Sequence, residues 1–199
     1  MGKVFEGIDD RMQAWIAQQP MFFVASAPLD SHGHVNVSPK APIESLQVLD
    51  EHTLAYLDLV GSGAETIAHV RENGRIVIML CAFQGPPRIV RLHGRGEVIT
   101  PSDERFDQLQ KRVRFAQPGV EAARRAIVLV SVERVADSCG YGVPLMSPEG
   151  SRPHMDAWAE KKVRVGGEDA LLRYQQEKNA VSIDGLPAVE LDEAAATSG

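Results

Sequence analysis

Residues 56–75, YLDLVGSGAETIAHVRENGR, join a strand pattern to a helix pattern through a glycine turn. The apolar run that ends at Val60 predicts a buried strand, and after a glycine turn Ile67 and Val70 share one helical face. Asn73-Gly74 then supplies residues that tolerate the left-handed geometry in which helices end. The stretch therefore predicts a strand that leads through a tight turn into a short helix.

The glycine turn carries the clearest chemical signal, because Gly61 and Gly63 permit close approach of the backbone. Ser62 and Thr66 add hydroxyl groups, and a helix N-terminus offers unpaired amides and partial positive charge that favour a phosphate. The alternative is a capping box, in which Ser62 and Glu65 satisfy the amides of the helix itself. Both interpretations stay open, and Glu65 would repel a phosphate dianion if it pointed inward.

The segments on either side of this stretch predict a mainly β protein. Strand patterns cover residues 21–28, 34–38, 45–49, 53–59, 76–82, 88–99 and 126–135, and further helical patterns cover 8–19, 102–115, 156–162 and 168–178. Six or seven antiparallel strands without a repeated βαβ pattern favour a small β-barrel with flanking helices over a Rossmann sheet. We expect one domain over residues 1–190, with a C-terminal helical extension, and a flexible tail at 191–199.

The composition is typical of a globular protein, with 199 residues, 44% hydrophobic and 24% charged. A net charge of −6 without a long basic run argues against sequence-independent binding of nucleic acid. Cys81 and Cys139 form no CxxC pair, and the six histidines show no metal-ligand spacing, so no metal site is expected. Acidic residues interrupt any secretory signal before Trp15, and no apolar run is long enough to cross a membrane. We therefore expect a cytoplasmic protein.

A second segment, HVNVSPKAP at residues 34–42, carries polar groups at the end of a strand. Pro39 lacks an amide donor and predicts an interruption of strand pairing that turns Ser38 and Lys40 toward a ligand. The alternative is a lysine that simply faces solvent on a barrel rim.

A third segment, PPRIVRLHGRGEV at residues 86–98, places three basic or titratable groups on one strand face. Arg91, His93 and Arg95 need an anionic partner or water there. Most such stripes are solvated, so the pattern alone assigns no catalytic role.

The order of these segments resembles the pyridoxamine 5′-phosphate oxidase-like family of FMN-binding split-barrel proteins. The resemblance covers roughly residues 7–134 and is carried by HVNVSPKAP, by LDLVGSGAETIAHVRENGRIVIML at 57–80 and by CAFQGPPRIVRLHGRGEV at 81–98. SCGYGVPLM at 138–146 and WAEKK at 158–162 resemble an oxidase-related subgroup. The resemblance implies a homodimer with FMN bound in grooves at the subunit interface.

The resemblance also implies which residues contact the cofactor. They are Ser38, Pro39, Lys40, Leu59 and Val60 beside the flavin, Ser62, Gly63 and Thr66 at the phosphate or ribityl chain, and Arg91 from the next strand. Better-characterised oxidases have an Arg-Lys pair where this chain has Glu65 and Thr66, so Lys40, Arg91 or a residue of the partner must supply the positive charge. The Arg and His arrangement for pyridoxal-type substrates is not apparent in the C-terminal sequence.

The leading hypothesis is an FMN-dependent oxidoreductase that acts on a small molecule, in which the flavin carries the electrons and the protein positions it. The sequence assigns no catalytic side chain. One alternative is a flavin-binding protein without turnover that serves as a store, a sensor or an electron-transfer module. Another is a protein that binds a deazaflavin or haem in the same barrel.

Overall fold

The computed structural model describes residues 2–189, which form one antiparallel sheet with flanking helices. The strands are β1 (Val4–Phe5), β2 (Phe22–Ser26), β3 (Asn36–Lys40), β4 (Leu46–Asp50), β5 (Thr53–Leu59), β6 (Arg75–Cys81), β7 (Ile89–Ile99) and β8 (Arg124–Ser138). The helices are α1 (Asp10–Ile16), α2 (Glu65–Asn73), α3 (Glu104–Arg112), α4 (His154–Gly166) and α5 (Ala170–Lys178). The mainly β prediction is confirmed, with the two-residue β1 as an additional strand. The tail at 191–199 lies outside the described residues.

The strand order is β3-β2-β6-β7-β8-β5-β4, and β1 pairs with β8. The sheet curls strongly, because Phe22 on β2 packs edge to face against Tyr56 on β5 although three strands separate β2 from β5. Their ring centroids are 5.7 Å apart. The pairing of β4 with β5 extends only to Tyr56, so the end of β5 at residues 57–59 faces β3 across the barrel split.

The barrel interior is filled by alternate residues of the strands. On β2, Phe22 and Val24 are fully buried while their neighbours are half-buried, and β7 buries Val90 and Leu92 in the same way. Helix α1 contributes Met12 and Ile16 to this core, one helical turn apart. No helix within residues 2–189 has the length and apolar character that crossing a membrane requires.

Helix α2 follows the pattern predicted for residues 61–74. It ends at Gly74, whose φ of 72° is the left-handed conformation expected there. Ile67 and Val70 are both buried, and Val70 packs into the barrel core beside Gly96 of β7. The helix therefore lies against one end of the barrel, with its own N-terminus directed to the split between β3 and β5.

Candidate functional site

A cavity of about 510 Å³ lies where β3 faces β5, and we call it the β3–β5 cleft. Its volume is within the range of about 300–1,000 Å³ that is typical of small-molecule sites. β3, β5 and the turn into α2 contribute Ser38, Pro39, Lys40, Asp58, Leu59, Gly61, Gly63, Glu65 and Thr66 to its lining, and later segments of the chain contribute Gln117, Pro118, Ser151, Arg152, Met155 and Asp156. A larger cavity of about 1260 Å³ beside α1 contains none of the predicted cofactor residues.

A buried ion-pair network forms the floor of the cleft. Asp58 accepts from Lys40 Nζ at 2.6 Å and from Arg125 Nε at 2.8 Å, and Asp58 and Arg125 are only 3% and 5% exposed. Burial alone raises the pKa of Asp58, but the charges of Arg125 and Lys40 outweigh burial and hold that pKa below its ordinary value. Asp58 is therefore an ionised anchor for two cations and not a proton donor.

Two consecutive hydrogen bonds join side chains of β3 to Thr66 of α2. Asn36 Nδ2 donates to Thr66 Oγ1 at 2.9 Å, and Ser38 Oγ donates to Asn36 Oδ1 at 3.3 Å. Since the oxygen of Thr66 accepts from Asn36, its hydroxyl proton can still be donated to a ligand. These hydrogen bonds fix the position of Thr66 relative to β3.

No side chain within residues 2–189 caps the N-terminus of α2. The capping residue is Ala64, whose side chain cannot accept a hydrogen bond, and Ser62 is exposed two positions before it. The capping-box interpretation of Ser62 and Glu65 is therefore wrong. Glu65 is half-buried, and a Cβ at position 63 would come within 2.5 Å of its Oε2 atom, so its carboxylate lies beside Gly63.

The predicted interruption at Pro39 is also wrong. The pairing of β3 with β2 runs through this residue without a break, with Pro39 opposite Phe23. Because β3 is the first strand in the sheet order, only one side of its backbone pairs, and an edge strand tolerates proline. Lys40 is not a free surface lysine either, since its side chain is only 24% exposed and bonds Asp58.

Six of the nine predicted cofactor residues line the β3–β5 cleft: Ser38, Pro39, Lys40, Leu59, Gly63 and Thr66. Ser62 is exposed beside the cleft, and Val60 packs in a separate apolar cluster with Ala123 and Leu171. Arg91 on β7 donates to Ser138 Oγ at 3.0 Å and does not line the cleft. Sequence reasoning missed Asp58 and Arg125, although a carboxylate within the apolar run of β5 was a usable signal.

The basic side chains of β7, Arg91 and Arg95, contact other residues of the protein. Arg95 pairs with Glu133 at 3.3 Å on the surface, in the manner expected of a solvated pair. Burial, together with the nearby charges of Arg134 and Arg91, lowers the pKa of His93, so this imidazole favours its neutral form.

Comparison with known proteins relates the chain to one family. The profile described as pyridoxamine 5′-phosphate oxidase matches residues 8–139. The pyridoxamine 5′-phosphate oxidase family protein ustO of Aspergillus flavus is 40% identical over 200 residues, which cover 93% of this chain and 77% of that protein.

Among solved structures, HupZ of Group A Streptococcus is 23% identical with a TM-score of 0.47, and the match covers 64% of this chain and 91% of HupZ. An FMN-binding protein of Syntrophomonas wolfei is 15% identical with a TM-score of 0.41, and that match covers 64% and 89% of the two chains.

Proposed function

Because the chain belongs to the pyridoxamine 5′-phosphate oxidase family, we propose that it is a flavoprotein that binds FMN in the β3–β5 cleft. One observation carries the proposal. The cleft brings the ammonium group of Lys40, the hydroxyl of Thr66 and the uncapped start of α2 to a single cavity, although these groups lie on different elements. Such convergent donors are what a phosphate needs.

The donors of the cleft fit the phosphate end of FMN. The ammonium group of Lys40 has three N–H donors, and one of them donates to Asp58, so donors remain for an anion. Arg152 also lines the cleft, and no carboxylate within residues 2–189 forms an ion pair with it. Glu65 is the opposing charge, and its carboxylate has to turn away from Gly63 when a phosphate enters.

The remaining lining suits a flat aromatic ring. Apolar side chains line the cleft, among them Pro39, Pro42, Leu57, Leu59, Pro118 and Met155. Small-molecule sites typically combine such a surface with a few fixed polar groups. The cleft therefore offers an apolar region for the isoalloxazine ring and a polar end for the phosphate.

We further propose that the protein is an FMN-dependent oxidoreductase that acts on a small molecule. FMN, when bound, supplies the redox chemistry, and the protein holds it in place and shields it from water. The buried groups near the cleft have fixed protonation: Asp58 is ionised, and burial raises the pKa of the Tyr56 phenol well above its ordinary value. Neither group readily exchanges a proton, so we assign them a structural role and assign the redox chemistry to the flavin.

Titration of apo-protein with FMN is expected to change flavin fluorescence at micromolar concentration, with one FMN bound per chain. FAD is expected to bind less tightly, because no dinucleotide fingerprint follows the first strand of the sequence. The absorption spectrum of the purified protein separates a flavin from a deazaflavin or haem. An unchanged fluorescence signal across the titration would remove the proposed function, and bound flavin without turnover on any substrate would favour the store or electron-transfer role.

We also propose a homodimer that uses an apolar area on the outside of the barrel. Val37, Phe23, Ala25, Val77 and Met79 point away from the core on three neighbouring strands, and we call them the outer sheet face. Val37 is 60% exposed, and the others are half-buried. An exposed apolar area on a sheet supports an interface between copies. Pro39 pairs with Phe23 and lines the cleft, so a partner there would lie next to bound FMN.

Val37→Glu is expected to weaken the dimer about tenfold, because it places a charge at the rim of the apolar contact. Light scattering over a dilution series measures the change. Val181→Glu is the matched control, since Val181 is 55% exposed but lies outside the outer sheet face. A monomeric wild type that retains FMN would contradict the dimer, and equal effects of the two variants would move the interface elsewhere.

A further inference from the structure

Two buried side chains hold the backbone of the glycine turn from beneath. Asn179, which follows α5, donates through Nδ2 to the carbonyl oxygen of Gly61 at 2.9 Å. Arg125 donates through its guanidinium to the carbonyl oxygen of Gly63 at 2.8 Å. Asn179 is fully buried and Arg125 is 5% exposed, so both carbonyls are directed into the protein.

This arrangement determines where the next amides point. In a trans peptide the carbonyl of one residue and the N–H of the following residue lie on opposite sides of the chain. The N–H groups of Ser62 and Ala64 are therefore directed away from Asn179 and Arg125. The turn that carries them contributes Gly61, Gly63 and Ala64 to the lining of the β3–β5 cleft. Within residues 2–189 neither amide donates to a protein acceptor.

The backbone contacts of Asn179 do not require an amide side chain at this position. Its backbone N–H donates to Gln175 and its carbonyl accepts from Val189, so the main chain already ties the end of α5 to the returning C-terminal segment. The side-chain Oδ1 is buried without a hydrogen-bond partner among residues 2–189, which carries a cost that an apolar residue would avoid. The hydrogen bond to Gly61 is thus the interaction that the amide side chain supplies.

We propose that Asn179, together with Arg125, is a positioning residue that fixes the amides of Ser62 and Ala64 toward a bound phosphate. The inference rests on the proposed FMN site and adds to it a residue 118 positions away in sequence. It assigns to the C-terminal segment a role in selecting phosphorylated flavin over riboflavin. Convergent backbone amides of this kind form anion-binding sites.

The test compares FMN and riboflavin binding by fluorescence titration in Asn179→Ala and Asn179→Asp. Both variants remove the donor to Gly61, and the aspartate keeps the shape of the side chain. We expect the dissociation constant for FMN to rise about tenfold and that for riboflavin to change less than twofold. Gln175→Ala is the matched control, because Gln175 is buried on α5, the helix that Asn179 follows, but borders a different cavity.

Equal losses for the two flavins, or no loss for FMN, would overturn the positioning role. A second readout does not depend on flavin: NMR titration with inorganic phosphate should shift the amide signals of Ser62 and Ala64 in the wild type and much less in Asn179→Asp. If the wild type binds neither flavin, the proposed function fails while the phosphate titration still decides the role of Asn179. Amide shifts of equal size in both proteins would reject it.

Discussion

Asp58→Ala is expected to lower the free energy of unfolding by about 3–5 kcal/mol. The substitution leaves Arg125 with its guanidinium buried and without a countercharge, whereas Lys40 is 24% exposed and can turn toward water. Urea denaturation of the wild type and of Asp58→Ala measures the difference in the free energy of unfolding, provided that this free energy depends equally on urea concentration in both proteins. Glu133→Ala is the control, because the Glu133–Arg95 pair is exposed and is expected to contribute less than about 1 kcal/mol.

The pH dependence of this effect has a defined sign. The pKa of Asp58 in the folded protein lies below its ordinary value of 3.8, so the network stabilises the fold fully above that value. The stabilisation is lost as the pH falls through the lowered pKa. The difference between wild type and Asp58→Ala should stay constant from pH 8 to about pH 5 and shrink in more acidic solution. A difference that disappears already near pH 6 would indicate a histidine and contradict the assignment to Asp58.

Lys40→Ala is expected to weaken FMN binding by about 1.5–3 kcal/mol, which is about a 10-fold to 150-fold rise in the dissociation constant. The ammonium group of Lys40 is largely shielded from water, and a charge-assisted hydrogen bond to phosphate is stronger in such a site. The fold should survive, because Asp58 keeps Arg125 as its partner at 2.8 Å. Thr66→Ala removes a neutral hydroxyl and should cost less, about 0.5–1.5 kcal/mol. Fluorescence titration at fixed ionic strength measures the FMN dissociation constants of both variants.

Riboflavin provides the control for Lys40 and Thr66, because it lacks the phosphate. Both variants should bind riboflavin almost as well as the wild type does. Glu65→Gln should act in the opposite direction and tighten FMN binding, since it removes the carboxylate beside Gly63. Parallel losses for riboflavin and FMN would instead place Lys40 beside the ring.

Local patterns were sufficient to predict most elements around the site. The bounds of β5 agree with the predicted run at 53–59, and the glycine turn leads into α2 as expected. These features depend on the alternation of side chains along a strand and on the conformational freedom of glycine, which a short stretch of sequence contains. The family resemblance, carried by the same segments, agrees with the profile match over residues 8–139.

Two interpretations, the capping box at Ser62 and the break in strand pairing at Pro39, were wrong for reasons that a single sequence does not contain. Ser62 matched a capping box, but α2 begins at Glu65, because the loop is longer than the motif assumes. Pro39 interrupts pairing only in a strand with neighbours on both sides, and the sequence does not tell that β3 is an edge. Both outcomes depend on where the rest of the chain is placed.

Local sequence patterns were enough to specify the β-rich class, the turn-to-helix segment and the residue types available to bind a phosphate. Only the tertiary structure brought Arg125 and Asn179, which lie 67 and 118 positions from their partners, beneath the cleft. β8 pairs with β5 so that Ala126 lies opposite Asp58, and this register places Arg125 beside that carboxylate. Such contacts depend on strand order and on curvature of the whole sheet, and the periodicity of a local segment specifies neither.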